Sequence, residues 1–135
     1  VLNLKLAANM KIRTHKDLEV YQLAFNAAIR IFEISKRFPK DETYSLTDQI
    51  RRSSRSVCSN QAEAFRKRRY PRSFVSKLSD SESEAAETQT WLDFGLTCKY
   101  IAENEHTELN ETYNNIIGKL VNMSLKPENW SWQVP

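Results

Sequence analysis

At 135 residues, with 40% apolar and 27% charged residues, the chain has the size and balance of one soluble globular domain that buries a core without disulfide or metal support. Two glycines and four prolines argue against a turn-rich β fold and leave room for long helices, and no 18-residue apolar run exists to span a membrane. The formal net charge is only +3, so the balance alone does not require a polyanionic partner.

The distribution of that charge is uneven. Between Arg51 and Lys77 there are nine Lys and Arg against Glu63 alone, and between Asp80 and Glu111 there are nine acids against Lys99 alone. Adjacent blocks of opposite sign imply either mutual neutralisation or two separate binding surfaces. Cys58 and Cys98 are isolated. Neither sits at metal or redox spacing, so reduced thiols and a cytoplasmic location are expected. The first nine residues, VLNLKLAAN, carry one charge and no cleavage pattern of a secretory signal. Met10 is a candidate start. The expected division is a poorly ordered N-terminal extension at 1–14, a helical bundle at 15–126 and a C-terminal tail at 127–135.

The first predicted helix covers Asp17 to Phe38. Leu18, Tyr21, Phe25, Ala28, Phe32 and Ser35 recur on one side, and Val20, Ala24, Ala27, Ile31 and Ile34 widen it; an apolar arc so broad meets more than one neighbour. Thr14 is placed to cap the start, with Asp17 three residues on. Pro39 ends the helix by lacking an N–H and restricting Phe38.

The second predicted helix organises the rest. It starts at Ser45 as N-cap, with Asp48 in the first turn, and runs to about Arg69, so that the stretch from Ser45 to Arg72 reads as one continuous basic-ended rod. Leu46, Ile50, Ser53, Val57, Gln61 and Ala64 share a core face. Gln49, Arg52, Ser56, Asn60 and Glu63 make a polar flank. Arg51, Arg55, Ala62, Arg66 and Arg69 form a basic stripe roughly opposite the core face.

Tyr70-Pro71 interrupts, with Pro71 suited to a first helical turn. The third helix is expected from about Arg72 to Ile101. Phe74, Leu78, Ser81, Ala85, Thr88, Trp91, Leu92, Phe94, Gly95 and Leu96 mark its inner side, and its small, polar middle allows close approach of a neighbour. Glu103-Asn104-Glu105-His106 reads as the third connection. Thr107 then caps a fourth helix carrying Leu109, Tyr113, Ile116, Ile117, Leu120, Val121 and Leu125, which Pro127 stops. The tail, with Trp130 and Trp132, is either disordered or folded back. At about 1.5 Å per residue the helices span roughly 33, 37, 44 and 28 Å. Similar lengths and short connections predict an all-α, antiparallel up-down-up-down four-helix bundle.

Catalytic chemistry is not legible. The two histidines, His15 and His106, stand in no spacing that joins them to Cys58, Cys98 or a serine as a nucleophile pair, and the isolated glycines make no phosphate loop. Glu103 and His106 form a Glu-x-x-His, but a di-iron bundle needs two such motifs on helix interiors, plus carboxylates from the other helices. No enzyme, cofactor or metal site is therefore expected.

Two surfaces remain. The basic one comprises Arg51, Arg55, Arg66, Lys67, Arg68, Arg69 and Arg72, where planar guanidinium forks suit phosphate and Phe65 and Tyr70 are placed to stack on bases. The alternative is that these arginines pair with the acidic block of helix three, within the chain or between copies, in a protein-interaction scaffold. The polar flank, Gln49, Arg52, Ser56, Asn60 and Glu63, is expected at a subunit interface of fixed register, because polar groups beside a core need specific partners. Basic and acidic surfaces on different parts of one chain permit head-to-tail contacts that close into rings.

The ordered series DLEVYQLA (Asp17–Ala24), Phe38-Pro39, Glu42-x-Tyr44-x-Leu46-x-x-Gln49-Ile50-Arg51-Arg52-Ser53, Ser59-Asn60-x-Ala62-Glu63 and ETQTWL (Glu87–Leu92) resembles the small four-helix-bundle proteins encoded by intervening sequences within bacterial 23S ribosomal RNA genes. The resemblance covers about residues 15 to 125. It implies a homopentamer with a tapered central opening, and a relation to the basic pentameric accessory proteins of diversity-generating retroelements, which bind nucleic acid and a reverse transcriptase. The resemblance brings no established activity with it, and only suggests RNA or DNA as a partner. The chain departs from the family pattern at Gln61, where an apolar residue is common, at Ala64, where glycine is common, and at Arg55, where small or apolar residues are common.

Overall fold

The computed structural model describes residues 12–130, and within them every regular element is helical, with no strand. The four long helices are α1 (Glu19–Ser35), α2 (Leu46–Arg66), α3 (Pro71–Thr97) and α4 (Glu103–Leu125), with 3-10 turns at His15–Asp17, Lys40–Glu42 and Pro127–Trp130. Residues 1–11 of the expected N-terminal extension, and Trp132 with the end of the tail, lie outside the described residues. Trp130 packs against the core.

The helix limits differ from the sequence expectation for local reasons. Thr14 does cap, its side chain accepting from Lys16 N while the Asp17 carboxylate accepts from Arg13 and Thr14 N. It caps the 3-10 turn, however, and α1 begins only after extended Leu18. At the other end Arg37 and Phe38 bond three residues back, to Ile34 and Ser35. The last turn thus tightens before Pro39 and α1 closes at Ser35 rather than Phe38.

Ser45 precedes α2, but its side chain does not cap the helix. The acceptor is Glu42, which takes a hydrogen bond from Leu46 N at 3.3 Å and from the Ser45 hydroxyl at 2.9 Å. The helix ends at Arg66, short of the expected Arg69, and residues 67–70 form a turn closed by Tyr70 N to Lys67 O. The stretch from Ser45 to Arg72 is therefore not one rod. Pro71 opens α3 as anticipated, which puts Arg72 on a different helix. That helix stops at Thr97, before Ile101, because Lys99 enters the left-handed region (φ 64) and Tyr100 and Ile101 N both return to Gly95 O. Glycine usually makes this reversal. Helix α4 starts four residues before Thr107. Glu105 accepts from Ala102 N at 2.9 Å, so Glu103–His106 is a first helical turn and not a connection.

All six residues of the predicted α2 core face are buried: Leu46, Ile50, Ser53, Val57, Gln61 and Ala64. On α1 the expected main stripe is buried only at its ends, Leu18 and Ser35. Val20, Ala24, Ala27, Ile31 and Ile34 form the core, whereas Tyr21, Ala28 and Phe32 are half-buried and Phe25 is 47% exposed. On α3 Phe94 is 54% exposed, and on α4 Val121 and Leu125 face out.

Each helix packs on the next, and α1 also packs on α4; among the described residues the backbones of α1 and α3 do not approach closely and face each other across the core. Between α2 and α3, Ser81 Oγ donates to Val57 O at 2.7 Å and Ser53 is hydrogen-bonded to Thr88 at 2.8 Å. Between α3 and α4, Gln89 Nε2 donates to Asn114 at 2.8 Å, and between α1 and α4 Lys119 pairs with Glu19. The result is a helical bundle with one core and α1 diagonal to α3.

Candidate nucleic-acid interface

The seven predicted phosphate-binding cations fall into two places. Arg51 and Arg55 sit on α2 beside α1. Arg51 Nε donates to Ser35 Oγ at 2.8 Å, and its guanidinium lies 4.8 Å from the Phe32 ring centre, with that of Arg55 at 5.9 Å. Both arginines border an open groove of about 540 Å³ that Thr43, Thr47, Asp48, Ser59 and, from the polar flank, Arg52 and Ser56 also line. Arg66, Lys67, Arg69 and Arg72 are exposed around the α2–α3 turn. Eleven residues of helix, or about 16 Å, separate Arg55 from Arg66.

Arg68 is held differently from its neighbours. It is half-buried, stacks 3.6 Å from the centre of the Phe65 ring and donates through Nε to Phe65 O at 2.8 Å. Burial, then the nearby Arg66 charge, push its pKa down from the usual guanidinium value. Arg68 therefore props the turn. Phe65 is buried beneath it, so its expected role as a base-stacking surface does not hold. Tyr70, 58% exposed, keeps an open ring face.

The polar flank of α2 is turned toward α3 of the same chain. Arg52 reaches Glu87 at 2.7 Å and Glu84 at 3.1 Å, and Glu63 pairs with Lys77 at 3.1 Å. Gln49, Ser56 and Asn60 are half-buried along the same edge. Glu84 and Glu87 share that site unequally. Desolvation raises the first, while the hydrogen bond from Glu84 and then contact with Arg52 lower the second. Pairing with the acidic block is thus realised for Arg52, while Arg51 and Arg55 turn to α1.

Tyr44, 94% exposed, was overlooked in the sequence. It stands in a connection with no helical period, next to Thr43 of the groove. Its signal was an aromatic residue without an apolar neighbour three or four positions away.

His106 Nε2 lies 2.7 Å from Asp93, across from the first turn of α4. Among the described residues no three His, Cys, Asp or Glu side chains gather as a metal site, and no helix is long and apolar enough to cross a membrane.

Among the described residues the chain is thus an all-helical bundle with a basic α2–α3 turn, the class of small helical proteins that the motif series suggested. The family model for the 23S rRNA-intervening sequence protein matches residues 16–122, and the chain belongs to that family. A solved structure of a protein of unknown function from the S23 ribosomal protein family of Bacteroides thetaiotaomicron is 25% identical. It superimposes with a TM-score of 0.71 over 78% of this chain and 95% of that one. No curated protein matches the chain.

Proposed function

We propose that the protein is a non-enzymatic, cytoplasmic helical bundle of antiparallel up-down-up-down topology that assembles as a homo-oligomer, a pentamer by family resemblance, and binds RNA or DNA through the α2–α3 turn. One observation carries the nucleic-acid reading. Arg66, Lys67, Arg68, Arg69 and Arg72 crowd into seven residues with no carboxylate among them, around a turn that also holds open Tyr70. Cations at this density attract phosphate, and an exposed ring beside them offers a stacking surface for a base. The cross-helix pairs Val57–Ser81 and Ser53–Thr88 support the antiparallel order of α2 and α3. A reverse transcriptase as protein partner rests on family analogy.

A second reading is a protein-interaction scaffold whose basic and acidic faces serve subunit or partner contacts; the Arg52 pairs with Glu84 and Glu87 are the within-chain example of such pairing. Charge reversal separates the two. The triple variant Lys67→Glu, Arg69→Glu, Arg72→Glu is assayed by filter binding to random RNA and duplex DNA, with mass measured by light scattering. Loss of binding with unchanged mass supports the nucleic-acid reading; dissociation supports the scaffold. With about four phosphate contacts per chain, wild-type affinity is expected to fall roughly a hundredfold between about 50 and 200 mM salt. A flat salt response removes the polyanion.

A further inference from the structure

Two aromatic surfaces are partly exposed, one on α1 and one on α3, helices that face each other across the core. On α1, Phe25 is 47% and Ile29 50% exposed. The rings of Tyr21 and Phe25 are 6.1 Å apart, stacked beside a shallow hollow of about 530 Å³ walled by Lys16, Gln22 and Asn26. On α3, Phe94 is exposed and tilts against half-buried Trp91 with centroids 5.9 Å apart. We propose that the Trp91–Phe94 patch of one copy seats against the Tyr21–Phe25–Ile29 face of the next, head to tail. This rests on the homo-oligomer reading and names its contact.

Three features select a second copy as occupant. First, the surroundings are opposite in charge. Phe32, on the α1 face, lies under Arg51 and Arg55, with Lys36 beside it paired to Glu33. The Trp91–Phe94 patch follows Glu84 and Glu87, two carboxylates sharing the one charge of Arg52. Complementary rims steer encounter and fix register. Second, each patch carries an exposed phenylalanine braced by a half-buried aromatic, Phe25 by Tyr21 and Phe94 by Trp91, and buried aromatics are the usual anchors of interfaces. Third, α1 and α3 are diagonal, so the two patches face different directions. A contact between unlike patches is heterologous and uses each patch once per copy, which generates a ring when the rotation closes.

The test uses the full chain and light scattering. Wild type is expected above the mass of one chain, and Phe25→Glu and Phe94→Glu at the mass of one chain. Each variant keeps the patch the other lacks, so an equimolar mixture is expected to give a dimer with one of each. Circular dichroism checks that each variant is folded, and Phe25→Ser and Phe94→Ser replace any that is not. Assembly of either folded variant like wild type overturns the proposal, as does a mixture that stays monomeric, and both leave the homo-oligomer reading standing. Wild type at the mass of one chain overturns both together.

Discussion

Ser53 on α2 and Thr88 on α3 are hydrogen-bonded at 2.8 Å with neither residue exposed to solvent. Thr88 Oγ1 also lies 2.8 Å from Glu84 O, one turn back on its own helix. Small hydroxyl side chains let the two backbones approach, and each hydroxyl also reaches a carbonyl of its own helix, Ser53 to Ile50 O and Thr88 to Glu84 O.

Breaking this pair from one side is expected to destabilise more than removing it entirely. Thr88→Val leaves Ser53 with only its longer bond to Ile50 O at 3.4 Å, which costs about 0.5–1.5 kcal/mol, whereas apolar replacement of both partners is close to neutral. Urea unfolding of Thr88→Val, Ser53→Ala and the double variant measures this. The double variant should lose at least about 0.5 kcal/mol less than the sum of the singles. Strict additivity contradicts the pairing.

Gln61 is 1% exposed, and neither Nε2 nor Oε1 has a hydrogen-bond partner. Leu18, Val20, Phe74, Leu78 and Met123 are among the residues lining its site. An amide buried among such groups is costly. Gln61→Leu is expected to stabilise the fold by about 1–3 kcal/mol, read as a rise in thermal midpoint. A drop in midpoint would mean that the amide has found a partner, such as an ordered water.

Glu42 links three elements. Hydrogen bonds from the Ser45 hydroxyl first, then Leu46 N–H, then the Tyr100 hydroxyl, hold its pKa below the ordinary value of 4.5. A carboxylate depressed in the folded state adds stability above its unfolded pKa and loses it as pH falls through the folded one. Glu42→Gln is therefore expected to be less stable than wild type at neutral pH. The gap should close as pH falls below 4.5. Thermal melts of both proteins across that range decide it; a gap that is constant with pH excludes the charged cap.

The two thiols are expected to react unequally. Cys58 is buried, and burial pushes its thiol up to about 11, while Cys98 is exposed. The thiolate is the reacting form. Titration with an aromatic disulfide should count one thiol per folded chain and two in denaturant. Two fast thiols in the folded protein would show that α2 opens readily.

Much of this architecture was readable without coordinates. Helical spacing on α2 identified its whole core face from Leu46 to Ala64, because a 3.6-residue period leaves one stripe for the interior. On α1 the same logic went astray. Its apolar arc is so broad that period alone did not say which half the neighbours would cover, and the core took the smaller side chains of Ala24 and Ala27. The candidate site was half legible. The density of Arg66 to Arg72 was plain, but stacking on Phe65 was not available, because Arg68 folds over that ring.

Helix periodicity, sparse breakers and the charge of the α2–α3 turn were properties of the sequence, since each depends on residues near one another along the chain. The partners of the charges were decided only in three dimensions: Arg52 went to Glu84 and Glu87, Arg51 to Ser35 and Phe32. Those choices depend on which flank of α2 meets α1 and which meets α3. Residues 100° apart on one helix face different neighbours, and only packing the core assigns them.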